Sequence, residues 1–496
     1  MGKHKMIGLI AGLIVFLALL ALPNPAGLSP EGKKAAAVAL LMTVWWITEA
    51  IPIYATAFLP LALYPLLGIL PAEETAANYG HNYVLMLLAG FFLAKAIELQ
   101  YLHKRMALVV IKLLGTSRRT IILSFMIATA FLSMWIANVA VALLMLPIAL
   151  AIISKEESEE GKAGAFGLAM MLAIAYSASV GGTATLIGTP PNMVFAGMMG
   201  KLFPDAPEIS FFTWMKVGFP IVLIFLPLIW IYITRYFRIS GSFSGSEDIV
   251  EAELKDLGKM SIGEKRVFVI FLITALGWIF RRDFVFDQAV IPGWGTLLGV
   301  GDYVHDSTVA VACAMLLFLL PDGKAPGQRL LDWKAAESVP WGVVMIVGGG
   351  YAIAESFKAT GLAEWVGQEL AFISQMPTLI VLLLVVGLMI FLTEINSNTA
   401  TANIFLPVLA TMAVAGNANP LLLMIPATFA CSFAFMLPSG TGTNTVIFAS
   451  ERVTIPQMAR CGLWLNFISI ILLTLLLYLV VVPLLGIGTE LPGWAR

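Results

Sequence analysis

Phe131-Leu132-Ser133-Met134-Trp135-Ile136-Ala137-Asn138-Val139-Ala140-Val141-Ala142 returns 260 residues later as Phe391-Leu392-Thr393-Glu394-Ile395-Asn396-Ser397-Asn398-Thr399-Ala400-Thr401-Ala402. The alignment runs on to Leu146-Pro147 against Leu406-Pro407, with seven of the 17 positions identical. The same offset sets Gly90-Phe91 against Gly350-Tyr351, and Lys95 and Glu98 against Glu355 and Lys358 with the signs exchanged. At an offset of 252, Gly188-Thr189-Pro190-Pro191-Asn192 falls on Gly440-Thr441-Gly442-Thr443-Asn444. Three correspondences in one order indicate a duplicated chain.

Both copies lie in strongly apolar surroundings. Of the 496 residues, 59% are apolar and 12% charged, against roughly half and about a quarter in soluble domains. This excludes a soluble enzyme. The apolar content would fill about a dozen bilayer spans of roughly 20 residues each, so the chain reads as an all-α polytopic membrane protein embedded in a lipid bilayer. The net charge is -1, which offers no basic field to nucleic acid. Cys313, Cys431 and Cys461 stand singly and read as small core residues. Met6 to about Leu22 reads as a first span, because no clean small-residue cleavage pattern follows it.

Charge-free tracts mark where lipid can be, since a buried charge costs several kcal/mol. Thr120 to Ser154 has a polar middle, Ser133 and Asn138, and charged ends at Arg118-Arg119 and Lys155-Glu156-Glu157. Apolar arms with a polar tip and polar ends predict a re-entrant hairpin. Leu370 to Ala415 repeats the pattern, with Thr393 to Thr401 as its tip. With two hairpins set aside, about 11 transmembrane helices remain, an odd number that puts the termini on opposite faces. The positive-inside rule places Lys104, Arg105, Lys112, Arg118, Arg119, Arg235 and Arg238 in the cytoplasm, with the N-terminus inside and the C-terminus external. Ser240 to Lys265, with its Gly/Ser-rich start, reads as a linker between halves. Hairpins entering from opposite faces make the halves inverted repeats, an architecture with a binding site near the midplane.

The bilayer explains the residue types. Irregular backbone survives at that depth only where protein or a wet cavity surrounds it. Pro190 and Pro191 break a helix, and Gly440 and Gly442 let the backbone turn. Broken helices present free N–H groups to an anion, while freed carbonyls with Ser, Thr and Asn oxygens suit a hard cation. Two tips facing two breaks predict two cation sites flanking one anion site. Isolated polar residues in spans often serve only as interhelical hydrogen bonds, but Asn138 and Asn398 occupy equivalent places in both copies. Lys95, Glu98, Glu355 and Lys358 read as mutually neutralising pairs, and Glu49 as a helix-end anchor or a member of a polar network. Gly299-Val300-Gly301-Asp302 matches an intramembrane protease motif, but no second intramembrane aspartate accompanies it. His4, His81, His103 and His305 are scattered, without metalloprotease spacing. A channel fits broken repeats less well than alternating access does.

Trp45-Trp46-Ile47-Thr48-Glu49-Ala50-Ile51-Pro52, Gly188-Thr189-Pro190-Pro191-Asn192 and Ser397-Asn398-Thr399 resemble the divalent anion/sodium symporter family, over nearly the whole chain. The resemblance implies a sodium-coupled carrier of di- or tricarboxylates, not an enzyme. It further implies a homodimer with scaffold and transport domains and an elevator motion. On that pattern, residues 1–119 are scaffold helices, 120–212 the first hairpin and broken helix, 213–339 scaffold helices and linker, 340–460 the second hairpin and broken helix, and 461–496 the C-terminal helix. In the family a Ser-Asn-Thr triplet at each tip binds sodium and substrate carboxylates. Carried over, one of two Na+ sites involves Ser133, Asn138 and the Gly188 carbonyl, and the other Thr393, the Asn396 backbone, Asn398 and Gly440. Substrate would meet Asn138, Val139, Ser397, Asn398 and Thr399, with Thr189 and Thr441 nearby. The first triplet departs from the pattern as Ala137-Asn138-Val139, and the second break lacks prolines. Val139 keeps the shape of threonine without its donor, so the anion is either a C4-dicarboxylate or a related anion that does not need that contact. A sodium-independent anion exchanger on the same fold is the alternative.

Overall fold

The computed structural model describes residues 2–112, 117–160, 164–242, 245–286, 289–370 and 376–495. The chain is a helical assembly, with one two-stranded antiparallel ribbon, β1 (Phe284–Phe286) and β2 (Ala289–Ile291), in a loop. The helices that position the tips and breaks come in two runs. The first comprises α1 (Lys3–Ala21), α2 (Pro30–Thr48), α3 (Asn82–Leu99), α4 (Leu102–Lys112), α5 (Arg118–Ser133), α6 (Asn138–Glu160), α7 (Ala165–Gly181), α8 (Pro190–Leu202) and α9 (Phe211–Tyr236). After α10 (Gly245–Leu257) the second comprises α11 (Ile262–Ile279), α12 (Asp306–Leu319), α13 (Trp341–Ala359), α14 (Leu362–Glu369), α15 (Thr378–Ile395), α16 (Asn398–Ala415), α17 (Leu421–Ala430), α18 (Gly442–Phe448) and α19 (Ile455–Leu476). Helix starts at Leu102 and Leu362, Arg118 and Thr378, and Asn138 and Asn398 each lie 260 residues apart, as the sequence duplication requires.

Eight helices among the described residues are long and apolar enough to cross a membrane. The shorter apolar pieces include Asp306–Leu319 and Leu421–Ala430. Pro30–Thr48 and Ile262–Ile279 have spanning length, but each carries three charges near its N-terminal end. Several helices start in the usual way, with a side chain satisfying orphan amides of the first turn. Ser29 accepts from Gly32 N at 2.9 Å, Ser117 from Thr120 N at 3.1 Å, and Ser261 with Glu264 forms a capping box.

Two helix pairs, α5–α6 and α15–α16, each turn through a short tip, Met134–Ala137 between the polar Ser133 and Asn138, and the polar Asn396–Ser397. Beside them stand two interrupted helices: α7 gives way through Gly182–Thr189 to α8, and α17 through Cys431–Thr441 to α18. Helix α7 is apolar all round and buried along nearly its whole length, the signature of a central element. Its approach to α5 is set by Gly181, where a Cβ would stand 2.4 Å from Ala130 Cα; any side chain would force the helices apart. Small residues at such crossings are how helices gain van der Waals contact in lipid.

The central polar stretch is more than a linker. Residues 243–244 lie outside the described part, but α10 folds within it and docks on α4 and α6 through Lys104–Glu253, Lys112–Glu251 and Lys155–Asp248 ion pairs. Val250, Leu254 and Leu257 recur at helical spacing among acidic residues in α10, a period the linker reading overlooked. Lys95 pairs with Glu98 as expected, whereas Glu355 pairs with Lys201, and Lys358 donates to the Lys201 carbonyl instead. Glu49 is the left-handed C-cap of α2 and meets Lys5, a helix-end anchor. At the other end of the bundle, buried Arg281 is held between Asp306 and Glu208.

Candidate functional site

The two tips and the two breaks meet. Ser133 and Asn138 bracket the first tip, and Gly188 sits so close that a Cβ would lie 2.8 Å from the Ser133 carbonyl. Thr185 Oγ1 donates to Met134 O at 2.5 Å, tying the break to the tip. The second tip reaches its own break through Thr393, whose hydroxyl lies 2.7 Å from the Asn398 amide and 2.8 Å from Cys431 O. The two halves also cross: Val139 Cγ2 lies 2.4 Å from where a Gly442 Cβ would be, Ser179 Oγ is 3.0 Å from Thr443 Oγ1, and Tyr176 donates to Phe435 O at 2.8 Å.

Both tip asparagines turn their amides toward a break. With the nitrogen inward, Asn398 Nδ2 donates to Cys431 O at 2.9 Å and Gly440 O at 3.0 Å, and Asn138 Nδ2 donates to Gly188 O at 3.2 Å and Ala178 O at 3.3 Å. A cation among these carbonyls would draw Oδ1 inward instead. Ser133 Oγ is fully buried and has no partner among the described residues. Neutral oxygens without nitrogen or sulfur donors fit a hard cation such as sodium.

Of the residues expected to meet substrate, Val139 is 40% exposed, Asn138, Ser397 and Asn398 are half-buried, and Thr399 is buried. Thr189 and Thr441 are the N-caps of α8 and α18, with almost the same backbone, φ/ψ -145°/139° and -153°/149°. Ser397 is the N-cap of α16. None of the three makes a side-chain cap, unlike Ser29, Ser117 and Ser261, so no side chain caps the first-turn amides of α16 and α18, while α8, which starts on Pro190 and Pro191, has no amide N–H at its first two positions. Asn396 is buried, and its Oδ1 accepts from Ser397 N at 2.9 Å, which turns the backbone at the tip.

Glu394 had no assigned role, yet it organises the second break. Its buried carboxylate accepts from the amides of Phe435, Met436 and Leu437 at 2.7, 2.9 and 3.0 Å and from Asn466 Nδ2 at 2.7 Å. A signal was present: Glu394 is the sole acid between Leu370 and Ser450, and a lone acid at membrane depth is functional by default. The Ala178 and Cys431 carbonyls carry no side-chain signature and were not foreseeable. Among the described residues no group of three or more His, Cys, Asp or Glu is placed to hold a metal.

A sequence model of the family described as the sodium:sulfate symporter transmembrane region matches residues 3–487. A sodium-dependent dicarboxylate transporter, SdcS, of Staphylococcus saprophyticus is 42% identical over 500 residues, covering 98% of this chain and 93% of that protein. SdcS of Staphylococcus aureus strain NCTC 8325 is 40% identical over 498 residues, with the same coverage. Two solved structures share the fold. Neisseria gonorrhoeae MtrF, titled as one of a class of antimetabolite efflux pumps, has a TM-score of 0.60 at 10% identity, covering 99% of this chain and 98% of that one. The Alcanivorax borkumensis YdaH transporter has a TM-score of 0.57 at 15% identity, covering 90% and 98%.

Proposed function

This chain belongs to the sodium:sulfate symporter family, and on that footing we propose that it couples sodium entry to the import of a small dicarboxylate such as succinate, malate or fumarate. The observation that carries the reading is the pair of oxygen clusters, in which the Asn138 amide stands beside the Gly188 and Ala178 carbonyls and the Asn398 amide beside the Cys431 and Gly440 carbonyls. Two sodium ions occupy them, the first held by Ser133, Asn138 and Gly188, the second by Thr393, the Asn396 backbone, Asn398 and Gly440. The anion lies between, against Asn138, Val139, Ser397, Asn398 and Thr399, with Thr189 and Thr441 beside it. The uncapped amides at the start of α16 favour its carboxylates. Being named sodium-dependent dicarboxylate transporters, the relatives support both halves of the coupling.

In the same reading the two hairpins and two broken helices form the moving body of an elevator, the remaining helices form a scaffold, and two copies pair as a homodimer. The cytoplasmic face holds α10 and the basic ends of α4 to α6, and the C-terminus is external. An inward-negative potential repels the dianion by about 2.3 kcal/mol per charge per 100 mV, which the sodium gradient offsets. A sodium-independent exchanger would need a fixed cation instead. Neither tip (133–139, 393–399) nor either break (182–192, 431–444) contains Lys, Arg or His. Labelled succinate in proteoliposomes accumulates under an inward sodium gradient; accumulation of equal size without sodium would reject the coupling.

A further inference from the structure

Asn192 and Asn444 are fully buried and stand at the third position of α8 and α18. Each makes the same two hydrogen bonds. Asn192 Nδ2 donates to the carbonyls ten and seven residues before it, Gly182 O at 3.3 Å and Thr185 O at 2.7 Å. Asn444 Nδ2 donates to the carbonyls ten and seven residues before it, Ala434 O at 3.1 Å and Leu437 O at 3.0 Å. The repetition holds although the intervening residues differ, Leu186-Ile187-Gly188-Thr189-Pro190-Pro191 in one copy and Pro438-Ser439-Gly440-Thr441-Gly442-Thr443 in the other. In both copies Oδ1 is buried without a partner among the described residues. An unmade buried hydrogen bond costs about 1–3 kcal/mol, so packing alone is a poor reason for an amide here.

Four residues before each asparagine stands the glycine, Gly188 or Gly440, whose carbonyl faces Asn138 or Asn398. We propose that Asn192 and Asn444 are positioning residues: twin amide staples that close each unwound loop and hold its glycine carbonyl at the distance sodium requires. They touch neither sodium nor substrate. Each side-chain NH2 supplies two donors from one rigid plane, so a single residue ties two points of the loop to the helix start. A hydroxyl ties at most one.

This rests on the sodium-coupled reading, and the test separates the two. Asn192→Asp and Asn444→Asp keep the side-chain shape but remove the donors; Asn192→Ser and Asn444→Ser keep one donor and add no buried charge. In proteoliposomes at saturating succinate, the sodium concentration for half-maximal uptake rises at least tenfold in Asp variants and several-fold in Ser variants. KM for succinate at saturating sodium changes less than threefold. Amide hydrogen exchange across 185–189 or 437–441 of the purified protein rises in the loop whose staple was cut. Folded variants with an unchanged sodium half-saturation and unchanged exchange overturn the staple role, as does loss of folded protein with normal sodium dependence in what remains. Sodium-indifferent uptake by the unaltered protein overturns the coupling itself.

Discussion

Val139 shows how much one missing atom says about selectivity. It occupies the place that Thr399 takes in the second copy, stands 40% exposed at the tip, and offers no donor. Because that position is exposed and not packed in a core, a hydroxyl there escapes the desolvation that makes Val-to-Thr changes costly in cores. A hydrogen bond to a charged partner contributes about 1.5–3 kcal/mol. Val139→Thr therefore lowers KM for succinate about tenfold in sodium-driven uptake; an unchanged KM would mean that the substrate does not reach this position. At this scale the sequence was informative where side chains act and blind where backbone does. Asn138, Asn398, Thr393 and Ser133 were legible because polar side chains at equivalent places in an apolar tract need a reason. The Ala178 and Cys431 carbonyls were not, since any residue supplies the same oxygen. Glu394 was visible as a lone acid, but its three backbone partners depend on how the break folds.

At the scale of elements, the two breaks reach one geometry by different means. Pro190 and Pro191 start α8 by removing donors, whereas α18 starts on Gly442 and Thr443, yet their N-caps agree within about 10° in both φ and ψ. The asparagine staple is common to both copies; the second break has in addition the Glu394 carboxylate, which accepts from the Phe435, Met436 and Leu437 amides. The absence of proline in the second break has a steric counterpart. A Cβ at Gly442 would stand 2.4 Å from Val139 Cγ2, and Val139 is stiff at χ1. Gly442→Ala costs about 1–3 kcal/mol of overpacking, read as a lower thermal midpoint and slower uptake, and Val139→Ala in the same chain restores both. Independent, additive effects would show that the first tip does not touch the second break. Hairpins and breaks were legible from charge-free tracts with polar centres; the α10 helix was not, because its Gly/Ser-rich beginning masked a short acidic amphipathic period.

For the whole molecule, the duplication bears on stoichiometry as well as shape. Under the proposed function each copy supplies one cation site, and the contact of Val139 with Gly442, one of several between the halves, joins the first tip to the second break. Two sodium ions with one dianion move no net charge, so the membrane potential neither helps nor opposes the loaded carrier, and the sodium concentration gradient alone drives it. A lone dianion would instead face about 4–5 kcal/mol per 100 mV. The proposed dimer and scaffold leave no comparable mark in one chain, because exposed apolar surface suits lipid and partner alike. The decisive measurement is the ratio of labelled sodium to labelled succinate entering proteoliposomes in the same initial interval, with and without an imposed potential. Two sodium ions per succinate, unaltered by the potential, is the expected value; succinate accumulating with no accompanying sodium would contradict it.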